Sequence, residues 1–273
     1  HPVNLAYEAA TADLNDINMI DPFHLEAYGE TTVNYNRDVE IFPVLNTIFE
    51  KIYGESPYKS PTDMGVNMAG NCICDDEACR EASKQEIIRR YFDALNALAK
   101  GSTSEKEAQK IELLMNMAGI TVTDRKVVIK ALERAKETDG PAAALELRDG
   151  RIITGKTTNL LGASAALLLN VLKVLAGIDH ETHIISPESI EPIQKLKVDY
   201  LKSKNPRLHT DEVLIALSAS AATNPQARLA LSQLPELAGC QAHTSVMLSD
   251  VDIKIFKKLE VQLTSEAVYE HAL

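Results

Sequence analysis

Residues 150–157 match the pattern of a nucleotide-binding phosphate loop, in which two glycines flank four residues and Lys-Thr follows. In such a loop, backbone N–H groups wrap the phosphates, the lysine reaches the outer phosphate oxygens and the threonine binds magnesium. Lys156 and Thr157 are therefore candidate ligand-binding residues. Three of the four residues between the glycines are β-branched, however, and such residues favour a strand. The preferred interpretation is a β-hairpin that turns at Asp149-Gly150, and the nucleotide loop is the alternative.

Two segments rich in Asn and Asp, residues 34–40 and 60–67, are the best candidates for a ligand pocket. Arginine and asparagine side chains bind phosphate or sugar groups through directed hydrogen bonds. Ordinary turns are an equal alternative, because Asn and Asp beside Gly and Pro also form turns. The predicted ligand-binding residues are Asn34, Asn36, Arg37 and Asn67, and the candidate catalytic carboxylates are Asp38 and Asp63.

The spacing of cysteine and histidine gives little support for a metal site. Cys72, Cys74 and Cys79 follow the pattern C-x-C-x4-C without a nearby histidine, and Cys240-x-x-His243 is a single half-site. Zinc sites need about four ligands in a closed arrangement. The sequence also lacks GxSxG and HExxH patterns, and no GxGxxG follows a predicted strand. We therefore expect neither a metal nor a cofactor.

Composition and charge exclude several classes of protein. The chain has 273 residues, 45% hydrophobic and 25% charged, and a net charge of −11. An acidic surface repels phosphate backbones, so we expect no nucleic-acid partner. The longest apolar run, residues 160–178, is interrupted by Asn170 and Lys173 and predicts a buried helix and no membrane span. Four cysteines without a regular framework fit reduced thiols in the cytoplasm. The start at His1 suggests a fragment or a processed product.

The elements that would position these residues fall into three segments. Residues 1–75 form an irregular N-terminal segment with polar loops and a helix that starts at Pro43 and carries the apolar stripe Val44, Ile48 and Ile52. Residues 76–139 predict a bundle of helices joined by short loops. Residues 140–273 predict an α/β domain of about five strands, with the hairpin first and a further strand near residues 182–186. The boundary is placed at Gly140-Pro141.

Several stretches resemble a bacterial protein family, catalogued as domain of unknown function 1846, over essentially the whole chain. They read HPVNLAYEAATADLND, NYNRDVEIFPVLN, SPTDMGVNMAGN, GRIITGKTTNLLGASAALLLN and NPRLHTDEVLIALS. Family members carry an upstream Gly-rich segment like a phosphate loop. The resemblance therefore implies that this chain is the C-terminal portion, a helical module followed by an α/β domain, without the upstream region. It implies fold and context more than function.

The α/β part is also similar, in the order of its elements, to the cytidine-deaminase-like fold. Deaminases place their zinc ligands and catalytic glutamate at the start of the first two helices after the hairpin. The corresponding positions here are Gly162–Ala166 and Pro187–Glu191, which lack those residues. The resemblance thus implies a three-layer α/β/α domain without a zinc motif, and α/β (α+β overall) as the fold class of the chain.

The function that these residues favour is a cytosolic metabolic enzyme, or a portion of one, that binds a small phosphorylated or nucleotide-like ligand. The polar segments and the upstream glycine loop of the family motivate this hypothesis. The alternative is a non-catalytic assembly module in which the α/β domain and the Ala-rich helices form oligomer contacts. In either case we expect a homo-oligomer without nucleic-acid or membrane partners.

Overall fold

The computed structural model describes residues 36–56 and 76–270, and the chain divides into two compact units after Arg125. Within the described ranges there are nine α-helices and one sheet of four strands, so the chain is a mixed α/β protein. None of the helices in these ranges has an apolar stretch long enough to cross a bilayer.

The first unit contains three helices, α1 (Asn36–Tyr53), α2 (Asp76–Ala99) and α3 (Glu105–Ala118), and a short 3-10 turn at Val122–Asp124. Helix α2 buries Ile87, Ile88 and Phe92, as the predicted apolar stripe requires, and packs against α3. Helix α3 ends at Gly119, which adopts the left-handed conformation that glycine favours at helix ends. The helical content predicted after residue 76 is therefore confirmed for these two helices.

Helix α1 differs from its prediction. It begins at Asn36, so Pro43 lies inside the helix and not at its start. The proline removes one backbone hydrogen bond, and the helix continues past it. The predicted stripe of Val44, Ile48 and Ile52 is 58%, 43% and 64% exposed, so it forms no core. Periodicity identified the helix, but neither its start nor the burial of its apolar side.

The second unit is built on the sheet, whose strands are β1 (Ala142–Glu146), β2 (Ile152–Lys156), β3 (Gln241–Thr244) and β4 (Gln262–Ser265) in the order β2-β1-β3-β4. Strand β1 is antiparallel to β2 and β3, and β3 is parallel to β4. In this register, the last residues of β2, β3 and β4 lie at the same side of the sheet as the first residue of β1. We call this side of the sheet the carboxyl edge.

Helices cover both faces of the sheet. Helix α4 (Lys126–Thr138) packs Val127 and Ala131 against Ala144 and Ile152 on one face. The other face is covered by α5 (Ala163–Leu175) and α9 (Asp250–Lys258), on which α7 (Thr210–Ser220) and α8 (Pro225–Leu231) pack, and these helices share one apolar core with the sheet. Between α5 and α7 lies α6 (Pro187–Lys195), which continues into a π-helical turn at Leu196–Tyr200. Helix α4, which precedes Gly140, thus belongs to the same compact unit as the sheet.

The hairpin interpretation of residues 142–156 is correct. Strands β1 and β2 pair in register from Ala142–Lys156 to Glu146–Ile152, and Gly150 turns the chain with φ of +83°. The strand expected near residues 182–186 does not form. Ile184 and Ile185 are buried in the core. Burial in the core explains why these two residues are apolar. They take part in none of the strand pairings that the structure describes.

Replacing Gly150 with alanine will lower the free energy of unfolding by about 1–2 kcal/mol, because a Cβ is strained at this positive φ. Urea unfolding followed by circular dichroism measures the change. The matched control is Gly140→Ala, since Gly140 does not have a positive φ and its nearest neighbour to an added Cβ is Thr138 O at 3.8 Å. Equal stability of the two variants would contradict the assigned turn.

Candidate functional site

Three helices of the second unit begin close together at the carboxyl edge. The loops before α5 and α7 are joined by hydrogen bonds from Leu208 N to Leu160 O (2.9 Å) and from Gly162 N to Leu208 O (3.2 Å). The Asp252 carboxylate of α9 accepts a hydrogen bond from Thr210 N, the first residue of α7, at 2.9 Å. The amino ends of α5, α7 and α9 are therefore neighbours, and their partial positive charges face one region.

The amino end of α5 has unused hydrogen-bonding capacity. Gly162 is the N-cap and provides no side chain, and within the described ranges no acceptor lies against the N–H groups of Ala163, Ser164 or Ala165. Ser164 is only 3% exposed. Its hydroxyl has no hydrogen-bond partner among the residues that the structure describes. Cα–Cβ bonds tilt toward the helix amino end, so the Cβ of Ser164 is inclined toward the open end of α5.

Gly155 fixes α5 against the sheet. An added Cβ would lie 2.2 Å from Leu167 N and 2.9 Å from Ala163 O, so β2 and the first turns of α5 are in direct backbone contact. Thr157 follows on the same face of the strand, about 6–7 Å further along, at about 3.3 Å per residue. Its position is therefore beyond the first turn of α5.

Lys156 occupies a different place. In the register of the hairpin it pairs with Ala142, so its side chain leaves the sheet on the face opposite to that of Gly155. It is exposed and forms no ion pair with a described residue. A phosphate-loop lysine would stand at the start of the helix, but α5 begins only at Ala163. Residues 150–157 form a turn and a strand, so the nucleotide-loop alternative does not hold.

His209 and Asp252 form a close pair beside this region. The Nδ1 atom of His209 lies 3.0 Å from Asp252 Oδ2. Asp252 also accepts hydrogen bonds from the Thr210 hydroxyl at 2.8 Å and the Ser249 hydroxyl at 2.7 Å. The histidine side chain is 32% exposed, whereas the carboxylate is 4% exposed. One buried anion therefore holds a partly exposed imidazole in place.

The pKa values of both groups follow from these contacts. Burial alone would raise the pKa of Asp252, but the hydrogen bonds from His209, the Thr210 backbone and Ser249 outweigh it and lower the pKa to about 2. The hydrogen bond to Asp252 raises the pKa of His209 above its ordinary value. Asp252 is thus ionised at neutral pH, and the imidazole titrates above its usual range.

A second ion pair secures the start of α7. Lys197, in the π-helical turn, donates to Glu212 Oε2 at 2.7 Å and to the carbonyl of Arg207 at 2.6 Å. Glu212 in turn accepts from the backbone N–H of His209 at 2.8 Å, which caps the helix. Glu212 therefore fixes the backbone of His209 at the start of α7.

The structure brings together only part of the predicted site. Of the predicted ligand-binding residues, Lys156 and Thr157 lie at the carboxyl edge. Asn36, Arg37 and Asp38 lie in the first turn of α1, in the other unit, and their side chains are outside the described part of the structure. The remaining candidates, Asn34, Asp63 and Asn67, lie outside the described residues. No cluster of three or more potential metal ligands occurs in the described ranges.

Ser164, His209 and Asp252 were not among the predicted site residues. Ser249-x-x-Asp252 has the spacing of a helix-capping pattern, which the structure confirms through the hydrogen bond from Asp252 N to Ser249 Oγ. That pattern indicates where α9 starts. It does not indicate that the carboxylate also reaches His209 and Thr210 in another helix, which requires the fold.

An open sheet with helices that begin together beyond its strand ends places this chain among the mixed α/β proteins. The chain belongs to the DUF1846 family of proteins. The N-terminal model of that domain of unknown function matches residues 1–119, and the C-terminal model matches residues 123–273. The expectation that the chain represents only a C-terminal portion is therefore corrected in part, since residues 1–119 match the N-terminal model.

Curated relatives in two bacterial genera are similar along nearly the whole chain. The UPF0371 protein cu0538 of Corynebacterium urealyticum is 61% identical over 269 residues, which are 98% of this chain and 54% of that protein. A UPF0371 protein of Corynebacterium aurimucosum is 62% identical over the same length. The UPF0371 protein str1377 of Streptococcus thermophilus is 56% identical over 271 residues. The chain spans little more than half the length of the relatives it matches.

Proposed function

We propose that the second unit binds the phosphate group of a small metabolite at the amino end of α5, as part of an enzyme. The observation that carries this proposal is the Ser164 hydroxyl, which belongs to a residue only 3% exposed, lies in the first turn of the helix and has no hydrogen-bond partner in the described residues. A hydroxyl without a protein partner in this position can donate to a bound ligand.

The chemistry of the site suits an anion. The free N–H groups of the first turn and the helix dipole favour negative charge at this position. Thr157 follows Gly155 on the same face of the strand, and Lys156 supplies an exposed cation at the same edge of the sheet, on the opposite face. The chain as a whole has a net charge of −11, which repels anions, so binding would depend on these local groups.

The finer fold assignment belongs to the same proposal. Residues 140–273 share with the cytidine-deaminase-like fold a hairpin followed by helix α5 and a later strand, helix and strand, but helices α6, α7 and α8 and no strand lie between α5 and β3. We propose that assignment for this unit. In place of the deaminase zinc ligands, the first helix presents the small residues of Gly162–Ala166, which allow a ligand to approach the backbone closely.

Phosphate binding tests the proposal directly. Isothermal titration with inorganic phosphate, and then with ribose 5-phosphate and AMP, should give saturable binding to the parent protein. Ser164→Ala should weaken phosphate binding about tenfold or more, because a hydrogen bond to a charged group contributes about 1.5–3 kcal/mol. The matched control is Ser189→Ala, which removes an exposed hydroxyl from the first turn of α6.

Two results would contradict the proposal. One is the absence of binding for all three phosphate compounds under low-salt conditions. The other is equal weakening by Ser164→Ala and Ser189→Ala, which would place the bound phosphate elsewhere. Amide NMR shifts at Ala163, Ser164 and Ala165 during the titration would identify the site independently of the variants.

The alternative function, an assembly module, stays a prediction. The alanines at the start of α5 are 0–8% exposed and pack within the second unit, so they are not free for contacts with another subunit. Light scattering over a range of concentrations tests whether the protein forms oligomers. A monomer at every concentration would exclude the assembly function.

A further inference from the structure

The hydrogen bonds of Asp252 determine which nitrogen of His209 carries the proton. Oδ1 accepts from the backbone N–H and the hydroxyl of Thr210, and Oδ2 accepts from the hydroxyl of Ser249. An ionised carboxylate only accepts hydrogen bonds. The His209 Nδ1 atom, 3.0 Å from Oδ2, must therefore be a donor. In the neutral ring, Nε2 then keeps its lone pair.

The backbone of His209 lies next to the candidate phosphate site. His209 directly follows Leu208, whose carbonyl accepts the hydrogen bond from Gly162, the N-cap of α5. About a third of the imidazole is exposed, and the partner that orients it is buried. A histidine that served packing alone would not require a solvent-exposed side chain.

The charged groups around His209 do not prevent the imidazole from taking up a proton. They are Asp252 of α9, Glu212 of α7 and Lys197 of the π-helical turn. The ammonium of Lys197 is neutralised by Glu212 at 2.7 Å. A positive charge on the imidazole would therefore be opposed only weakly by the lysine and stabilised by the buried carboxylate.

We propose that His209 and Asp252 are an acid–base pair that exchanges a proton with a phosphorylated ligand bound at the amino end of α5. The proposal rests on the proposed function, because that site holds the ligand. His209 would be the catalytic residue, and Asp252 the positioning residue that keeps the proton on Nδ1.

The proton transfer is balanced within the pair and the ligand. The lone pair of Nε2 takes a proton from an O–H or C–H bond of the ligand, and the electrons of that bond remain on the ligand. The imidazolium keeps its Nδ1–H bond to Asp252. It then returns the proton from Nε2 to the same or a neighbouring ligand atom, which restores the neutral ring.

Chemical modification with inorganic phosphate as the probe tests the pair. Diethyl pyrocarbonate acylates unprotonated imidazole nitrogens, and mass spectrometry follows each histidine separately. Phosphate at about ten times its Kd should slow modification of His209 about tenfold by mass action. His180, which is 78% exposed, is the internal control and should react at an unchanged rate. Ser164→Ala should need about tenfold more phosphate for the same protection.

Nitrogen NMR of the imidazole supplies a second measurement on the parent protein. The neutral ring of His209 should carry its proton on Nδ1, and Asp252→Asn should shift the proton toward Nε2, since an amide can donate to Nδ1. A neutral ring protonated on Nε2 in the parent protein would overturn the proposal. That result does not depend on whether any variant folds.

The outcomes separate this proposal from the one on which it rests. If calorimetry shows phosphate binding that Ser164→Ala weakens, while His209 is modified at an unchanged rate, the acid–base pair is rejected and the phosphate site stands. If phosphate does not bind at all, both proposals fail. Protection of His209 alone, together with a proton on Nδ1, supports both.

Discussion

Gly155→Ala is expected to lower the free energy of unfolding by about 3 kcal/mol, the upper part of the range for overpacked cores. The added Cβ would lie 2.2 Å from Leu167 N, 2.5 Å from Leu167 Cα and 2.9 Å from Ala163 O. All three atoms belong to the backbone, so no side chain can rotate to make room, and α5 must move from the sheet. Urea unfolding followed by circular dichroism measures the loss.

The comparison with Gly140→Ala isolates the steric cause. Both substitutions add one methyl group and reduce the freedom of the unfolded chain equally. At Gly140 the nearest atom to the new Cβ is 3.8 Å away, so this control should remain within about 0.5 kcal/mol of the parent. If Gly155→Ala were as stable as the control, α5 would not lie in direct contact with β2. A displaced α5 should also bind phosphate more weakly.

Asp252→Asn is expected to destabilise the second unit by about 3 kcal/mol near pH 6, because it removes a buried ionised acceptor. Four donors converge on the carboxylate, from His209, Ser249 and Thr210, and an amide cannot accept from all of them. Thermal melting by calorimetry at pH 6 measures the change. The control is Asp199→Asn, an exposed carboxylate, which should leave the melting temperature nearly unchanged.

The same carboxylate should make stability depend on pH. The pKa of Asp252 is lowered from 3.8 to about 2 in the folded protein, so its stabilising effect is complete above the ordinary pKa and is lost as the pH falls toward 2. At 1.36 kcal/mol per unit, this loss is about 2 kcal/mol. The parent protein should lose this increment between about pH 5 and pH 2, and Asp252→Asn should not. An identical acid profile for both proteins would contradict the assigned hydrogen bonds.

His209 gives a contribution of opposite sign on the alkaline side. Its pKa is raised in the folded protein by the hydrogen bond to Asp252. The resulting stabilisation is therefore complete below the ordinary pKa of 6.5 and is lost as the pH rises through the folded pKa. In Asp252→Asn this alkaline loss should diminish as well, because the partner that raises the pKa of His209 is gone.

Sequence patterns predicted the parts of the fold that are determined by near neighbours. The stripe of Ile87, Ile88 and Phe92 recurs at helical spacing, and the buried face of α2 follows from it. The hairpin follows from β-branched residues on one side of Asp149-Gly150. The strand prediction for residues 182–186 was wrong. An apolar pair predicts burial, whereas a strand also needs hydrogen-bond partners for its backbone.

The candidate site was predictable only where it coincides with a sequence pattern. Lys156 and Thr157 were selected by a phosphate-loop pattern that the structure does not form; Thr157 lies on the face of the sheet that carries α5, whereas the side chain of Lys156 leaves the opposite face. The unpartnered hydroxyl of Ser164 becomes visible only when the packing around α5 is known. His209 and Asp252 are 43 residues apart, and no spacing rule connects them.

The separation of these residues along the chain has a consequence for folding. Residues 155–164, which would bind the phosphate, are contiguous and belong to one hairpin–helix segment, whose local contacts close within microseconds. The acid–base pair instead needs a contact between α7 and α9, from residues 43 apart in the sequence. Closing this longer loop has a higher entropic cost than closing the hairpin. A folding intermediate that already binds phosphate would therefore be unable to transfer protons, and the order in which the two properties appear during refolding would reveal the order of assembly.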